Sequence, residues 1–306
     1  MRESIDCEVC LERAAFWTSI AHYRHYRCRA CGHVFIFPLP SQEELDKFYQ
    51  GGAYYLKAER ELERLVNEAR ARMRRLETFI DRYALKRQLL DVGCASGFFL
   101  REASQNGWNA IGLDRSASLA KKAEEYSGAF VLTGLLEDTH LTHGPYSVVT
   151  AWEVVEHTVD VRQFFEALTK HVAPGGLLAL STPLANGLPA KVLGKRFPML
   201  SPPEHLRLFT RRSINVLASE FGLEEVGYHS FSNLNRRSLS SGLATLFFDC
   251  KRANVPAVSR TFLDMTSAAL AWIPAMVDWI GRGTEMEILF RRKAPRHDNV
   301  ECVRSS

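Results

Sequence analysis

The sequence lacks an apolar run long enough to cross a membrane. The best candidate, SAALAWIPAMV at 267–277, is interrupted by Pro274 and stops at Asp278. It is well short of the roughly 20 apolar residues of a membrane-spanning helix. The N-terminal stretch MRESIDCEVC is polar and has none of the apolar segment that a secretory signal contains. We therefore expect a cytoplasmic protein.

A large excess of charge of one sign is also missing. The 306 residues carry a net charge of +4, and 46% of them are hydrophobic. Such a composition is typical of a globular chain with room for a large core and one small extra module. The mildly basic balance permits an anionic partner without requiring one. No internal repeat of solenoid length is visible.

Cysteine is scarce, and most of it stands in two pairs near the N-terminus. The pairs Cys7-x2-Cys10 and Cys28-x2-Cys31 account for four of the seven cysteines. Two such pairs supply four thiolates, the usual ligand set of a structural Zn2+ site. A closed site of four thiolates leaves no open position for catalysis, so its expected role is to fold a small module. Residues 1–40 are therefore predicted to form a zinc ribbon.

Beyond the ribbon, the sequence alternates between strand and helix patterns with short connections. QLLDVG, NAIGLD, AFVLTG, SVVTAW and LLALSTP are predicted to be buried strands, and LEEVGYHSF and EMEILFRRK add two more. This alternation predicts a doubly wound, Rossmann-like α/β fold with a seven-stranded sheet. Its expected limits are 86–293, with a helical linker before it at 41–85, a helical insert at 231–283 and a disordered tail at 294–306.

The predicted linker helix carries an apolar stripe and a cluster of arginines. The stripe recurs at helical spacing and consists of Leu62, Leu65, Val66, Ala69, Met73, Leu76 and Ile80. The arginines of the same helix are Arg70, Arg72, Arg74 and Arg75. We expect them to form a solvated face, with an anion-binding surface as the alternative.

The first predicted strand of the sheet runs into a glycine-containing turn, DVGCASG at 91–97. Gly93 and Gly97 permit a tight turn and a close approach of a ligand to the backbone. Asp114 ends the second strand, where an acidic side chain can accept hydrogen bonds from a ribose diol. The third glycine of the dinucleotide pattern GxGxxG is missing. Together these features predict a site for a nucleoside cofactor.

Four stretches, DVGCASGFFL, AIGLD, VVTAWEVVEH and HVAPGGLLALSTP, resemble the class I S-adenosylmethionine-dependent methyltransferases. The resemblance covers roughly 88–230 and the last strand. It implies a methyltransferase sheet, the cofactor S-adenosyl-L-methionine and the transfer of a methyl group. A redox Rossmann domain and a domain that binds the cofactor without catalysis are the alternatives.

The resemblance also implies which residues hold the cofactor. Asp114 would bind the ribose, and Glu137 and Asp138 would lie near the adenine. The other expected contacts come from the glycine-containing turn and its neighbours, namely Asp91, Gly93, Cys94, Ala95, Gly97, Arg115 and Trp152.

The stretch AWEVVEHT at 151–158 follows the fourth predicted strand, at the edge where open α/β sheets bind ligands. If it begins a helix, Glu153, Glu156 and His157 share one face. His157, and His205 in PPEHLRLFT, are candidate bases for removing a proton from an oxygen or carbon nucleophile. The ExxEH pattern also resembles the Mg2+-binding motif of ubiquinone-type O-methyltransferases. A divalent metal therefore stays an alternative to a metal-free substrate or base role.

Two longer stretches bear on the substrate. CRACGHVFIFPLPSQEELDKFY resembles the zinc-binding N-termini of methyltransferases that modify sugars and other small metabolites. PPEHLRLFT resembles the ubiquinone-type O-methyltransferases. The implied acceptor is an oxygen or carbon of a small metabolite or of a glycan or lipid-linked precursor. A non-catalytic cofactor-binding scaffold is the alternative outside enzymes.

An RNA methyltransferase is the enzymatic alternative. Nucleic acid is disfavoured as a partner because the ribbon has no dense basic patch and the chain has no Asn/Asp-Pro-Pro-Tyr motif. The insert is expected to cover the substrate pocket with the apolar side chains Phe247, Phe248, Trp272 and Trp279. Peripheral membrane contact through 262–283 is the alternative role of that segment. The sequence does not indicate an oligomeric state.

Overall fold

A computed structural model describes most of the chain as two β-sheets with surrounding helices. The described residues are 3–50, 61–141, 144–232, 240, 243–244, 255–270 and 272–294. None of the helices within them combines the length and the apolarity that crossing a membrane requires. Residues 295–306, where a disordered tail is predicted, and Phe247 and Phe248 lie outside this part of the chain.

The smaller sheet is antiparallel and contains the N-terminal strands. Its order is β1-β2-β3-β4-β10. The strands are β1 (Ser4–Asp6), β2 (Arg13–Ile20), β3 (Tyr23–Cys28), β4 (Val34–Ile36) and β10 (Arg207–Leu208). The last strand is distant in sequence and pairs Arg207 with Phe35 and Leu208 with Val34. The N-terminal sheet is therefore completed by a strand from the C-terminal half of the chain.

The larger sheet has seven strands in the order β11-β12-β9-β8-β5-β6-β7. Strand β12 is antiparallel to both of its neighbours, and the central pairs are parallel. The strands are β5 (Gln88–Val92), β6 (Asn109–Asp114), β7 (Phe130–Thr133), β8 (Tyr146–Trp152), β9 (Val172–Pro183), β11 (Leu223–Phe231) and β12 (Glu285–Arg292). The predicted doubly wound fold with seven strands is confirmed.

Helices and the N-terminal sheet cover the two faces of the larger sheet. The helices are α1 (Gln42–Gln50), α2 (Leu62–Tyr83), α3 (Phe98–Gln105), α4 (Ala117–Ser127), α5 (Val161–His171), α6 (Leu188–Leu193), α7 (Arg211–Glu220), α8 (Ala257–Ala269) and α9 (Ile273–Trp279). Helices α2 and α3 pack on one face. Helices α5 and α7 pack on the other, together with the four N-terminal cysteines. Burial on both sides explains why the central strands are apolar along their length.

Local side chains fix where the helices around the sheet begin. The Asp160 carboxylate accepts hydrogen bonds from the amides of Arg162 and Gln163 at the start of α5. Thr210 and Ser213 form a reciprocal capping box at the start of α7. These caps satisfy backbone N–H groups that have no partner inside the helix.

The condition under which Glu153, Glu156 and His157 would share one helical face is not met. The stretch AWEVVEHT does not begin an α-helix, because β8 runs to Trp152 and only a single 3-10 turn, Val155–His157, follows. Glu153, the first of the two residues between them, has a left-handed φ of 55°. The shared helical face of its two glutamates and histidine is therefore absent.

The arginines of α2 are not all solvated. Arg70 and Arg74 are exposed and Arg75 is half-buried, but Arg72 is buried in an ion-pair network. The insert also differs from its predicted role, since Trp272 and Trp279 are 59% and 86% exposed. Among the described residues, neither tryptophan lines the cavity at the carboxyl ends of β5 and β8. Contact of this segment with a membrane stays a prediction.

Candidate active site

A cavity of about 820 Å³ opens at the carboxyl ends of β5 and β8. Its walls come from the glycine-containing loop after β5, from α2, from the turn after β8 and from the loop before β10. Ligands of open α/β sheets bind at this edge. The described part of the predicted insert at 231–283 contributes no wall, so the expected cover from that segment is not seen within the described residues.

The glycine loop fits tightly against its neighbours. Gly93 has a φ of +70°, and a Cβ there would lie 2.5 Å from Cγ2 of Val154. Gly97 has a φ of +78°, and its Cβ would lie 2.9 Å from the backbone of Ala123 in α4. Both positions therefore need glycine for backbone conformation and for space. The loop leads directly into α3, whose N-terminal turn borders the cavity.

Asp114 supports this loop from the end of β6. Its Oδ2 accepts a hydrogen bond of 2.9 Å from the Ala95 amide, and its Oδ1 accepts one of 2.9 Å from the Ser116 amide. The residue is 7% exposed. Burial raises its pKa, and the two backbone hydrogen bonds oppose that rise. Asp114 thus holds the loop in place, and its contact with a ribose stays a prediction.

The remaining predicted cofactor residues fall into two groups. Asp91, Gly93, Cys94, Ala95 and Trp152 line the cavity, and Gly97 closes the loop beside it. The described residues that line the cavity do not include Arg115, Glu137 or Asp138. Arg115 and Asp138 are exposed and Glu137 is half-buried, so their roles also stay predictions.

Asp91 is the most perturbed acid on the cofactor side of the cavity. It is 1% exposed and accepts a hydrogen bond of 2.6 Å from Oγ1 of Thr150. Burial raises its pKa to about 7, although the Thr150 hydroxyl opposes the shift. The side chain therefore keeps its proton at a higher pH than an ordinary aspartate. A cationic group in the cavity would favour its charged form.

Two histidines face each other on the opposite side of the cavity. Nδ1 of His157 donates a hydrogen bond of 2.6 Å to the carbonyl oxygen of Glu204, and Nδ1 of His205 donates one of 2.8 Å to that of Met199. Their ring centroids are 5.0 Å apart. A carbonyl partner on Nδ1 makes Nε2 the basic nitrogen of each neutral ring. The pair can therefore accept a proton or bind a cation.

Glu156 lies beside the two imidazoles and is fully buried. Within the described part of the chain, neither of its carboxylate oxygens has a hydrogen-bond partner. Burial and the nearby carboxylate of Glu153 raise the pKa of Glu156 well above its usual range. A buried carboxyl group without partners is unfavourable unless a polar ligand or a cation satisfies it.

The structure brings together a different trio from the predicted one. Single donor atoms of Glu156, His157 and His205 all lie within 4.8 Å of one another. Glu153 is not part of that group among the described residues. Its amide instead donates to the carbonyl and hydroxyl oxygens of Ser181 at 3.1 Å and 3.0 Å. Its Oε1 is 3.8 Å from Nη2 of Arg72.

Sequence reasoning missed Arg72 as a residue of this site. Its guanidinium donates to Oε1 of Glu287 at 3.0 Å and to Oγ of Ser181 at 3.1 Å, and it lies 4.7 Å from the ring centre of Trp152. A second ion pair joins it to Glu68 at 2.6 Å. The sequence contains a signal for the burial of Arg72. This residue directly precedes Met73 and follows Ala69 by three positions, so it lies close to the apolar stripe of the helix.

The four N-terminal cysteines also meet at one point. Sγ of Cys7 is 3.7 Å from Sγ of Cys31, and Sγ of Cys10 is 3.5 Å from Sγ of Cys28. A tetrahedral site with Zn–S bonds of about 2.3 Å places its sulfurs about 3.8 Å apart. The spacing therefore fits a zinc ion. His33, which lies near the cysteines, forms a hydrogen bond of 2.9 Å between its Nε2 and Oε1 of Glu8. It is therefore not needed as a fifth ligand.

The comparisons with known proteins agree with this geometry. Residues 55–227, more than half of the chain, match the family model described as a methyltransferase domain. A ubiquinone biosynthesis O-methyltransferase of Rickettsia akari is 31% identical over 33% of this chain and 42% of its own length. That of Erwinia tasmaniensis is 34% identical over 31% of this chain and 42% of its own length. The chain thus spans less than half the length of these curated relatives.

A likeness to a solved structure concerns the fold. A SAM-dependent methyltransferase of Archaeoglobus fulgidus aligns with a TM-score of 0.51 at 16% identity, covering 78% of this chain and all of the other. At that identity the likeness extends to the arrangement of strands and helices.

Proposed function

Because the chain belongs to the family of class I S-adenosylmethionine-dependent methyltransferases, we propose that it transfers a methyl group to a small acceptor. The acceptor atom is an oxygen or a carbon of a metabolite or of a glycan or lipid-linked precursor. The observation that carries the proposal is that one cavity contains both the glycine loop and the pair of histidines.

The glycine loop is the proposed cofactor side of the cavity. S-adenosylmethionine supplies a methyl group on a positively charged sulfonium. Gly93 and Gly97 allow the backbone to come close to such a ligand, and Asp91 offers a buried carboxyl group that a cationic ligand would ionise. The fit is supported by the space available and by the position of the loop at the sheet edge.

The histidines are the proposed acceptor side. In this role, His157 or His205 takes the proton from the acceptor hydroxyl or carbon acid through Nε2. The Glu204 and Met199 carbonyls support the role because they orient the rings and fix their tautomers. Positioned general bases contribute about 10²–10⁴-fold to rate. The ring centroids of Trp152 and Phe99 are 5.2 Å apart. In the proposed role, this aromatic pair helps to keep water out of the cavity.

A divalent cation is a second candidate for the acceptor side. Glu156, His157 and His205 offer one carboxylate and two imidazoles within 4.8 Å. The buried carboxyl of Glu156, whose oxygens accept no hydrogen bond from the described residues, supports such a ligand. A bound cation would favour the ionised form of an acceptor hydroxyl. The two nitrogen donors suit zinc or iron better than magnesium, which prefers oxygen ligands.

The four cysteines are proposed to hold a structural zinc ion. Their sulfur spacing and their burial support this assignment. With four thiolates in place no coordination position remains for a substrate. The site therefore contributes to folding and not to the transfer step.

The experiment that tests the proposed function is a transfer assay with S-adenosylmethionine labelled in the methyl group. Hydroxylated polyprenyl phenols, sugar nucleotides and total RNA serve as separate acceptors. We expect label in a small acceptor and none in RNA. The two named relatives are O-methyltransferases of ubiquinone biosynthesis, which makes phenolic hydroxyls the first acceptors to try. Label in RNA alone, or no binding of S-adenosylmethionine by calorimetry, would overturn the proposal.

A further inference from the structure

A single buried arginine joins the cysteine module to the proposed acceptor side. The side chain of Arg207, in β10, has no exposed surface. Its Nε donates to Oε1 of Glu8 at 2.7 Å, and its Nη2 donates to Oε2 of the same residue at 3.4 Å. Glu8 lies inside the first cysteine pair, between Cys7 and Cys10. One edge of the guanidinium is thus held by the first metal-binding knuckle.

The other edge of the guanidinium holds the turn that carries the candidate catalytic residues. Nη1 of Arg207 donates to the hydroxyl of Thr158 at 2.8 Å, to the carbonyl oxygen of the same residue, and to that of Val155 at 3.4 Å. Nη2 donates to the carbonyl oxygen of Val159 at 3.2 Å. These acceptors flank Glu156 and His157 on both sides, so the arginine fixes the backbone of the turn.

The residues next to Arg207 hold the same turn. The Leu206 amide donates to the carbonyl oxygen of Glu156 at 2.9 Å. The Glu204 carbonyl accepts the hydrogen bond from Nδ1 of His157. The loop before β10 therefore determines both the backbone of the turn and the orientation of its imidazole.

Both cysteine knuckles are docked against the methyltransferase sheet as well. Arg162 of α5 donates to the carbonyl oxygens of Glu8 and Val9 at 2.9 Å and 2.7 Å. At the second knuckle, Oγ1 of Thr210 donates to the carbonyl oxygen of Cys31 at 2.7 Å. The folded cysteine site thus sets the position of Glu8. Because Arg207 is hydrogen-bonded both to Glu8 and to the turn after β8, the position of Glu8 influences the position of that turn.

We infer that Arg207 is a positioning residue for the proposed methyl transfer, through which the four-cysteine module sets the geometry of Glu156 and His157. The inference rests on the proposed function for its kinetic consequence, but the hydrogen bonds themselves do not depend on it. A rigid fork of donors suits this task, since one guanidinium reaches a carboxylate and several carbonyls at once. A lysine at the same place keeps the charge and loses the fork.

The test uses Arg207→Lys and Glu8→Gln in the full-length, metal-loaded protein. Glu8→Gln preserves the size and shape of the side chain. It therefore still tests the inference if Arg207→Lys does not fold. Arg211→Lys and Glu225→Gln are the matched controls. Nε of Arg211 lies 3.1 Å from both carboxylate oxygens of Glu225. Arg211 is exposed, and neither residue of this pair lines the cavity.

Four measurements distinguish positioning from a general effect on folding. We expect kcat to fall by on the order of 10- to 100-fold in Arg207→Lys and Glu8→Gln, because small misplacements of reacting groups have such effects. Affinity for S-adenosylhomocysteine and zinc content should stay unchanged. The ring nitrogen signals of His157 in nitrogen-15 NMR should shift in both variants and in neither control.

The outcomes separate this inference from the proposed function. If the native protein transfers no methyl group, the proposed function fails while the His157 signals still test the connection. Unchanged His157 signals in both variants would overturn the inference. Simultaneous loss of zinc, cofactor binding and thermal stability in Glu8→Gln would also overturn it, because that result indicates a purely structural role.

Discussion

His157 and His205 lie on different segments of the chain, yet each donates Nδ1–H to a backbone carbonyl, and their rings are 5.0 Å apart. The two anchors come from the same short loop, at Glu204 and Met199. Backbone carbonyl groups of this loop therefore orient both imidazole rings, and with them the basic Nε2 atom of each ring. This arrangement gives the acceptor side a defined tautomer, which a lone histidine on a flexible loop would lack.

Removal of the His157 imidazole should reduce methyl transfer and leave cofactor affinity unchanged. We expect His157→Ala to lower kcat by about 10²–10⁴-fold, the range for loss of a general base. The measurement is labelled methyl transfer, with calorimetry of S-adenosylhomocysteine binding beside it. His22→Ala is the control, since that ring is exposed. Equal activity in the two variants would contradict the role of His157.

Chelation distinguishes the two hypotheses for the acceptor side. If the trio of Glu156, His157 and His205 acts without a metal, activity should survive prolonged treatment with a chelator that leaves the four-thiolate zinc in place. If a cation binds there, activity should fall on chelation and return with zinc or iron(II). Metal analysis before and after treatment shows which of the two metal sites was emptied.

The glycine loop should tolerate no side chain. Gly93→Ala and Gly97→Ala are expected to weaken S-adenosylhomocysteine binding by at least about tenfold, equivalent to about 1.4 kcal/mol. The reason is that the added methyl groups would lie 2.5 Å and 2.9 Å from neighbouring atoms. Gly107→Ala is the matched control, because it has a φ of +76° and nothing within 4 Å of its Cβ position. Equal weakening in all three would point to backbone strain as the cause.

The stability of the ligand-free protein should depend on pH through Asp91. Burial raises the pKa of this group from its ordinary 3.8 to about 7, so the folded state binds the proton more tightly than the unfolded state. The stabilising effect of the protonated form is complete below the unfolded pKa and is lost as pH rises to about 7. Asp91→Asn should therefore raise the Tm of the ligand-free protein at pH 8 relative to the native chain, and change it little at pH 4.

The same substitution should have the opposite effect on ligand binding. An uncharged amide at position 91 cannot pair with a cationic group of the cofactor, so affinity for S-adenosylmethionine is expected to fall. Asp6→Asn, at an exposed position, serves as the control for both measurements. Tighter cofactor binding by Asp91→Asn would contradict a contact between this carboxylate and the cofactor.

Removal of Arg72 from its buried ion pairs should destabilise the protein strongly, because it leaves a buried carboxylate short of a partner. Arg72→Met leaves Glu287 buried and without one of its two arginine partners, and loss of one member of a buried pair costs about 3–5 kcal/mol. Urea unfolding measures the effect. Arg70→Met is the control, since Arg70 is exposed and pairs with Glu102 at 3.2 Å. An exposed pair of this kind is worth about 0–1 kcal/mol, so similar losses in both variants would contradict the assignment.

The sequence was sufficient for features that depend on neighbouring residues. The seven strands, the helices between them and the glycine turn at Gly93 and Gly97 all follow from local apolar periodicity and local backbone requirements. The four cysteines could be grouped because their ligand type and spacing are recognisable without the fold. In each case the signal lies within a few residues of the feature.

Features built from distant segments could not be predicted in the same way. The approach of His205 to Glu156 depends on a loop that returns to the sheet. The pairing of Arg72 with Glu287 joins α2, which precedes the sheet in sequence, to β12, its last strand in sequence. Whether AWEVVEHT begins a helix was also open in the sequence, because the residue that binds the Glu153 amide is distant: Ser181 accepts that hydrogen bond with its carbonyl and hydroxyl oxygens. That contact bends the chain immediately after β8.

Strand β10 has a consequence for how the protein is made. During synthesis, β1 to β4 leave the ribosome long before Leu208 is available to pair with Val34. Until then one edge of the small sheet has unpaired backbone groups, which can pair with other chains. Closing it requires a contact between segments far apart in sequence, and such contacts form slowly. Nascent chains shorter than 207 residues should therefore be the form of this protein most dependent on chaperones.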